Sequence, residues 1–416
     1  MNLRERTNID YINSNHPETK ERIDVVENWT SVNSGSPIAA THLYETMYKK
    51  DVTYEELAEL IDIDEFINYF IIETYFGNSD YPDNNIVMWK EHKEGSKWRW
   101  ILKDLDMSSD FRTYKDGKII TYTSNYFEQF LTLSPESEDF DSWDFPTKLM
   151  RVLVSMKPFQ DLLIERFSVY MGDFLNPRHI IPHIDSLAQK IEYEIPFTDE
   201  RYSDYTTNDY TDWYQEIDLI KNYPSKRNWL NSNSMKNFFH LGDIYHLTIN
   251  NPYEKDLPFT LTVNNTEMLH TSFDGYYYKG RPIVIHSKGK GGASDIKGWK
   301  IEKQIRDIVL TEYAEGDSIS LMIPNNSLIE HVTISTCDST YKIQSKNGNG
   351  ICIYKIDGGL LCTNLTQESQ ILISDLSGKI IFNQKGFKRE EETIDLPKGC
   401  FILNDGTKRE KIIVTK

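Results

Sequence analysis

The sequence predicts an α+β chain in which a largely helical first half is followed by all-β, sandwich-like modules. Three observations predict this. Apolar residues recur at helical spacing through residues 63–71 and again through 149–171. Near Asn231-Ser232-Asn233-Ser234 the apolar period drops from that of a helix to that of a strand. From Phe238 onward, short β-rich runs alternate with turn formers such as Asn264-Asn265, Asp274-Gly275 and Asn325-Asn326, at sandwich-like intervals. With 416 residues, 39% of them hydrophobic, and 25 Tyr, 19 Phe and 8 Trp, the chain has material for two or three real cores and does not read as disordered. A net charge of -18 disfavours nucleic acid and anionic lipid as partners. No run approaches the length of a transmembrane segment, and Met1-Asn-Leu-Arg-Glu-Arg6 has no apolar signal core. Cys337, Cys352, Cys362 and Cys400 fit no zinc spacing, and both free thiols and disulfides stay open.

Taken in order, residues 1–50 read as a short strand followed by irregular and helical structure. Thr53-Tyr-Glu-Glu56 is a capping-box pattern that starts a helix near Glu55. A stronger helix follows, with Ile63, Phe66, Ile67, Phe70 and Ile71 on one face and Asp62 and Asp64 at its start, where the helix dipole favours anions. It delivers a loop, Gly77-Asn-Ser-Asp80-Tyr-Pro-Asp83-Asn84-Asn85, built almost wholly of turn formers. Ile86 to Lys90 and Trp98 to Asp104 then form a hairpin through Gly95. A straight second strand puts Trp98, Trp100, Leu102 and Asp104 on one face, an aromatic platform beside a carboxylate. The long polar connection from Met107 to Asp144 reads as a surface excursion, with a substrate-side lid as the alternative. Thr147 to Asp173 is a core helix, and residues 177–230 continue as helices. His179 and His183 are four apart, but Pro182 lies between them and no Glu does, so they read as surface histidines. Lys288-Gly-Lys-Gly-Gly292 has the residues of a phosphate loop without its strand-to-helix setting, and reads as a hairpin tip. The expected domains are 1–235, 236–336 and 337–416.

The chemistry is concentrated between Tyr75 and Asp106. Phosphoryl transfer asks little of a protein: a carboxylate near the acceptor hydroxyl, and oxygen ligands that hold magnesium on the nucleotide phosphates. A loop with Asp80 and Asn85, leading into an apolar strand that ends in Asp104 and Asp106, supplies that set. The Asp80-x4-Asn85 spacing is that of protein-kinase catalytic loops, although the same spacing is common in loops by chance.

The flanks add to it. Ile63-Asp64-Glu65-Phe66-Ile67-Asn68-Tyr69-Phe70, then Phe76-Gly77-Asn78-Ser79-Asp80-Tyr81-Pro82-Asp83-Asn84-Asn85, then Trp98-Arg99-Trp100-Ile101-Leu102-Lys103-Asp104-Leu105-Asp106 resembles the spore-coat protein H (CotH) kinase family in its secreted, Bacteroidetes-type branch. Leu3-Arg4-Glu5-Arg6-Thr7-Asn8 resembles the stretch that precedes these motifs there, so the likeness runs over residues 3–230. The resemblance implies an atypical protein-kinase-like domain, mostly the helical C-lobe, that moves the γ-phosphate of ATP to Ser or Thr hydroxyls of a protein with Mg. It implies Asp80 as the catalytic carboxylate, Asn85, Asp104 and Asp106 as metal ligands, and Trp98 or Trp100 stacked on the adenine of the nucleotide. In that family a sizeable segment precedes the Leu-Arg-Glu-Arg stretch, and no Gly-rich phosphate loop occurs here, so the expectation is a domain without its N-terminal part. The alternatives are a catalytically inactive surface-binding protein and a glycan hydrolase with Asp80 and Asp104 as its carboxylate pair. Phe273-Asp-Gly-Tyr-Tyr-Tyr-Lys-Gly280 with Gly298-Trp299 resembles the β module that follows such kinase domains. Ile373-Ser-Asp375-Leu-Ser-Gly378, Leu396-Pro-Lys-Gly399-Cys-Phe-Ile-Leu403 and Lys411-Ile-Ile-Val-Thr-Lys416 resemble the type IX secretion C-terminal sorting domain. That likeness implies engagement of a secretion machinery and a secreted or outer cell surface location.

Overall fold

The computed structural model of the chain describes residues 6–19, 22–28, 31–78, 80–82, 84–109, 114–115, 118–119, 125–132, 148–202, 210–250, 259–270, 272–289, 296, 298–337, 352–356, 359–405 and 409–414. They fall into two units, one of residues 1–167 with 175–238 and one of residues 168–174 with 239–416. The architecture is mixed, with helices and several β-sheets. Among the described residues no helix is long and apolar enough to cross a membrane.

In the first unit, α1 (Ile9–Asn15) begins at Asn8, whose side chain accepts from the backbone N–H groups of Asp10 and Tyr11. β1 (Ile23–Glu27) and β2 (Ser31–Ser34) pair antiparallel, and α2 (Ile38–Met47) and α3 (Tyr54–Leu60) follow. The capping box at α3 forms as its spacing predicts: Glu56 N donates to Thr53 Oγ1 at 3.2 Å, and Thr53 N donates to Glu56 Oε2 at 2.9 Å. Asp62 caps α4 (Ile63–Phe76) by accepting from Glu65 N, and Gly77 ends it in the left-handed region at φ +62°. β3 (Val87–Glu91) and β4 (Arg99–Ile101) complete an antiparallel sheet of order β2-β1-β3-β4. Ile23, Val25, Val87, Trp89 and Ile101 of that sheet bury against Ile12 of α1.

β4 is shorter than its alternation suggests. It stops at Ile101, Leu102 is 44% exposed, and Asp104 turns into the left-handed region at φ +55° before a single 3-10 turn, Leu105–Met107. Asp is among the few residues that tolerate that conformation at low cost. Trp98, Trp100, Leu102 and Asp104 therefore do not share one face.

The connection after Asp106 also differs from a bare surface excursion. Two short strands, β5 (Tyr114–Lys115) and β6 (Lys118–Ile119), are followed by α5 (Tyr126–Thr132), which buries Tyr126, Phe127, Phe130 and Leu131. Residues 133–147 lie outside the described set. The helix expected from Thr147 to Asp173 is two, α6 (148–154) and α7 (Lys157–Gly172), broken at Ser155-Met156, with Pro158 in the first turn of α7, where its missing N–H costs no helical bond. α8 (Pro177–Ile191), α9 (Ile195–Tyr202) and α10 (Tyr210–Phe238) follow, with His183 exposed on α8.

The second unit is built mainly of β7 (Ile244–Asn250), β8 (Phe259–Val263), β9 (Thr266–Glu267), β10 (Phe273–Tyr278), β11 (Pro282–Gly289), β12 (Gly298–Ile305), β13 (Ile308–Glu315), β14 (Ser318–Met322) and β15 (His331–Cys337). They make a five-stranded sheet, β10-β7-β15-β12-β13, and a four-stranded one, β14-β11-β8-β9. One buried cluster draws on both, with Leu247, Trp299 and Ile334 from the first and Leu261, Ile285 and Ile319 from the second. Seven more strands follow: β16 (Cys352–Ile356), β17 (Gly359–Thr363), β18 (Gln370–Asp375), β19 (Ile380–Lys385), β20 (Glu391–Asp395), β21 (Gly399–Asn404) and β22 (Arg409–Val414). Their sheets are β16-β17-β20 and β19-β18-β21-β22. Most of the Lys288 to Gly292 tip lies outside the described residues. Cys362 and Cys400 are free thiols, and burial pushes the Cys362 thiol up to about 12.

Candidate functional site

The site begins at the end of α4, where the last carbonyls are captured by α10. Tyr75 O accepts from the Tyr223 hydroxyl at 2.6 Å and from Arg227 Nε at 3.2 Å, and Thr74 O accepts from Arg227 Nη2 at 3.4 Å. Arg227 is fully buried, its guanidinium set against the rings of Tyr126 and Tyr223 at 5.3 and 5.6 Å. A cation at a helix C-terminus complements the dipole, and here it also occupies carbonyls that the helix itself leaves unpaired. Gly77 then turns the chain, and a Cβ at that position would collide with the Tyr126 ring.

From this fixed point a run of hydrogen bonds reaches Asp80. Asn78 Nδ2 donates to the buried Glu73 Oε2 at 2.9 Å, and Asp80 N donates to Asn78 Oδ1 at 3.2 Å. Asn85 Nδ2 donates to Asp80 Oδ2 at 3.2 Å, and Asn84 N donates to Asp80 O at 2.8 Å. Asp80 and Asn85 are thus brought together, with Asn85 in the left-handed region at φ +61°. Burial pushes the Glu73 carboxyl up to about 7. The far end of the loop is pinned to β1 by Asn28, whose N donates to Ile86 O at 2.8 Å while its Oδ1 accepts from Ile86 N at 3.2 Å and its Nδ2 donates to Asn84 Oδ1 at 3.1 Å. Ser79 and Asp83 lie outside the described residues.

The sheet register sets the second half of the site beside the first. Glu27 is opposite Val87, and Val87 is opposite Ile101. The last residue of β1, the first of β3 and the last of β4 therefore lie side by side at one end of the sheet. The Asp80–Asn85 loop enters the sheet at that end, and the Asp104–Asp106 turn leaves it there. Ser109 N donates to Phe76 O at 2.5 Å, which ties the chain after Asp106 to the end of α4.

A cavity of about 830 Å³ opens beside this turn, lined among others by Arg6, Glu27, Asn33, Lys103, Asp104 and Asp106. Lys103 Nζ lies 2.8 Å from Glu27 Oε1, and Asn33 Nδ2 donates to Glu27 Oε2 at 2.9 Å. These two bonds, the lysine's first, hold the Glu27 carboxyl below its ordinary value. Asp80 and Asn85 are not among the lining residues of this cavity.

Trp98 and Trp100 are placed differently from the expectation. They are 1% and 3% exposed. The Trp100 ring packs on Phe66 with centroids 4.5 Å apart, and the Trp100 backbone N–H donates to Glu65 Oε2 at 2.9 Å. Trp98 N donates to Leu60 O at 2.8 Å, and Trp98 O accepts from Asp62 N at 2.9 Å. Both rings are packing residues of the sheet-to-helix core, with too little exposed surface for a base to stack on.

Lys103, Glu27, Asn28 and Glu73 carry much of this arrangement and were not among the residues expected from the sequence. Lys103 had a signal in its position beside Asp104. Glu27 reaches the site only through strand pairing across 76 residues, which no local pattern records.

A search of the curated proteins finds no match. The Asp80–Asn85 loop, the Asp104–Asp106 turn and the cavity residues all lie within residues 6–230, the stretch that matches the family described as CotH kinase protein, and since that stretch is more than half of the 416 residues the chain belongs to this family.

Proposed function

We propose that this chain transfers the γ-phosphate of ATP to Ser or Thr hydroxyls of a protein, with Asp80 orienting or deprotonating the acceptor and Asn85, Asp104 and Asp106 as ligands of Mg. The observation that carries this reading is the register that sets the Asp80–Asn85 loop and the Asp104–Asp106 turn at one end of the sheet. The donors fit the ion: two carboxylates and an amide oxygen are hard ligands of the kind magnesium takes. When bound, the ion neutralises charge on the phosphates. Arg6 and Lys103, both lining the cavity, supply positive charge where phosphate oxygens would lie. The amide of Asn85 fixes one Asp80 oxygen and leaves the other to accept the proton of an incoming hydroxyl. Trp98 and Trp100 have no part in nucleotide stacking in this reading. Residues 236–336 and 337–416 are two non-catalytic β modules behind a kinase-like 1–235, the last of them a sorting-type domain that directs the protein to the cell surface or beyond it.

Calorimetry with Mg and ATP tests this on the intact chain. Wild-type protein is expected to bind, Asp104→Ala to lose binding, and Asp80→Ala to bind while phosphotransfer to a protein hydroxyl falls about a hundredfold or more. Absence of nucleotide binding at millimolar concentration in the wild-type chain would sink the reading and favour a non-catalytic surface-binding protein.

A further inference from the structure

The second unit carries a polar cluster that phosphotransfer does not use. Alternation along β7 sends Tyr245, Leu247 and Ile249 into the core, so His246 and Thr248 lie on the opposite, outer face of the five-stranded sheet. The neighbouring strands place Tyr276 and His331 directly opposite His246, and Asp274 and Thr333 opposite Thr248. The imidazoles of His246 and His331 lie 4.5 Å apart between centroids, tilted by 42°. His246 Nε2 is 2.6 Å from Asp274 Oδ1, and His331 Nε2 is 2.9 Å from Thr248 Oγ1 and 3.4 Å from Thr333 Oγ1.

These contacts organise the rings in a particular way. A carboxylate only accepts, so the proton of a neutral His246 sits on Nε2 and the lone pair on Nδ1. His331 has its Nε2 beside two hydroxyls, each able to accept its N–H, and in that tautomer Nδ1 is the basic nitrogen there as well. Imidazoles that ligate metals almost always give their other N–H to a carboxylate, a carbonyl or water, an arrangement that fixes the ring and raises its basicity.

We propose that His246 and His331 form a two-imidazole site for a divalent transition metal of the zinc, nickel or copper class, with Asp274 as the residue that positions His246 and water completing the coordination. Imidazole nitrogens favour these ions over magnesium and calcium. Adjacent parallel strands hold the two rings side by side, so little chain ordering remains to be done on binding. Side-chain exposures of 38% for His246 and 33% for Asp274 leave an ion a path to the site. Binding turns both Nδ1 atoms towards one ion, at metal–nitrogen bonds of about 2.0–2.1 Å.

The test is calorimetry of the full chain with zinc chloride and nickel chloride at neutral pH. Asp274→Asn is expected to lower zinc affinity about 10–100-fold, and His246→Ala and His331→Ala each at least as much. His286→Ala, exposed on β11, is expected to leave it unchanged. His246→Gln with His331→Gln keeps polar groups at both positions, and circular dichroism reports whether each variant remains folded. Nitrogen-15 shifts of the two imidazoles should show Nε2–H tautomers without metal and should move together on adding zinc. The proposal is overturned if the wild-type chain shows no saturable zinc binding, or if a folded double variant binds as tightly as wild type. None of these readouts depends on phosphotransfer.

Discussion

Glu73 shows how one side chain ties the candidate site to the core. It sits one turn before the end of α4, buried, with Asn78 Nδ2 as donor to its carboxylate and Asp80 hanging from Asn78 in turn. Burial raises its carboxyl from 4.5 to about 7. A carboxyl raised in the folded state favours folding below its unfolded value, and that contribution is lost as pH rises through about 7. Once both states are ionised, the folded chain has given up about 3 kcal/mol relative to an unshifted group. Glu73→Gln keeps an oxygen that can accept from Asn78 and removes the ionisation. It is expected to raise the thermal midpoint relative to wild type at pH above 8 and to leave it nearly unchanged near pH 4, below the unfolded value. Scanning both proteins across that range checks the sign, and a Gln variant less stable than wild type at high pH would show that the ionised Glu73–Asn78 bond outweighs desolvation. Nothing in the sequence singles out Glu73, because a Glu on a helix reads by default as a solvated face. Asp80 and Asn85 stood out in the sequence by their spacing in a loop of turn formers, and the hydrogen bond between their side chains is what the structure adds.

At the scale of elements, α4 is the part on which the loop depends, and α10 is what holds its end. Arg227 binds two terminal carbonyls while buried between Tyr126 and Tyr223, and Tyr223 binds one of the same carbonyls. Arg227→Met keeps much of the volume and strands those acceptors in the interior. Its expected cost is about 3 kcal/mol, read as a lower urea midpoint at unchanged slope. Arg227→Lys is not expected to rescue it, because a single ammonium does not reproduce a planar fork that meets two carbonyls and two rings. The elements that could be read in advance are those with a local cause: the capping box of α3, the apolar stripe and Asp62 cap of α4, and the period-two runs of the second half. β4 ended early because Asp104 adopts a left-handed turn that alternation does not reveal. α5 was missed because its four buried residues are embedded in a polar stretch, and the helix break at Ser155-Met156 was overrun by an apolar pattern that continues on both sides of the break.

On the scale of the whole molecule, the change from helical to strand periodicity marks the passage from the family-matched region to the β-rich remainder, since each period follows from how its backbone repeats. The assembly of the site was not legible in the same way, because Glu27 and Lys103 meet through a register shared by three strands. Net charge acts at this scale too. With 64 acidic against 46 basic residues the folded chain carries -18, a surplus that compaction concentrates and that unfolding relieves. Opposing it are individual attractions such as Lys103 with Glu27 and Lys303 with Glu312, both within 3 Å. Part-exposed pairs of this kind are worth at most about 1 kcal/mol each, whereas repulsion sums over the whole surface. The screening length falls from about 30 Å at 0.01 M salt to about 8 Å at 0.15 M, so salt removes long-range repulsion before it weakens pairs in contact. The thermal midpoint at pH 8 is therefore expected to rise with sodium chloride across that range, measured by calorimetric scans in a metal-free buffer. A midpoint that falls instead would mean that the acidic surplus is spread too thinly to matter and that close pairs dominate the electrostatics of the fold.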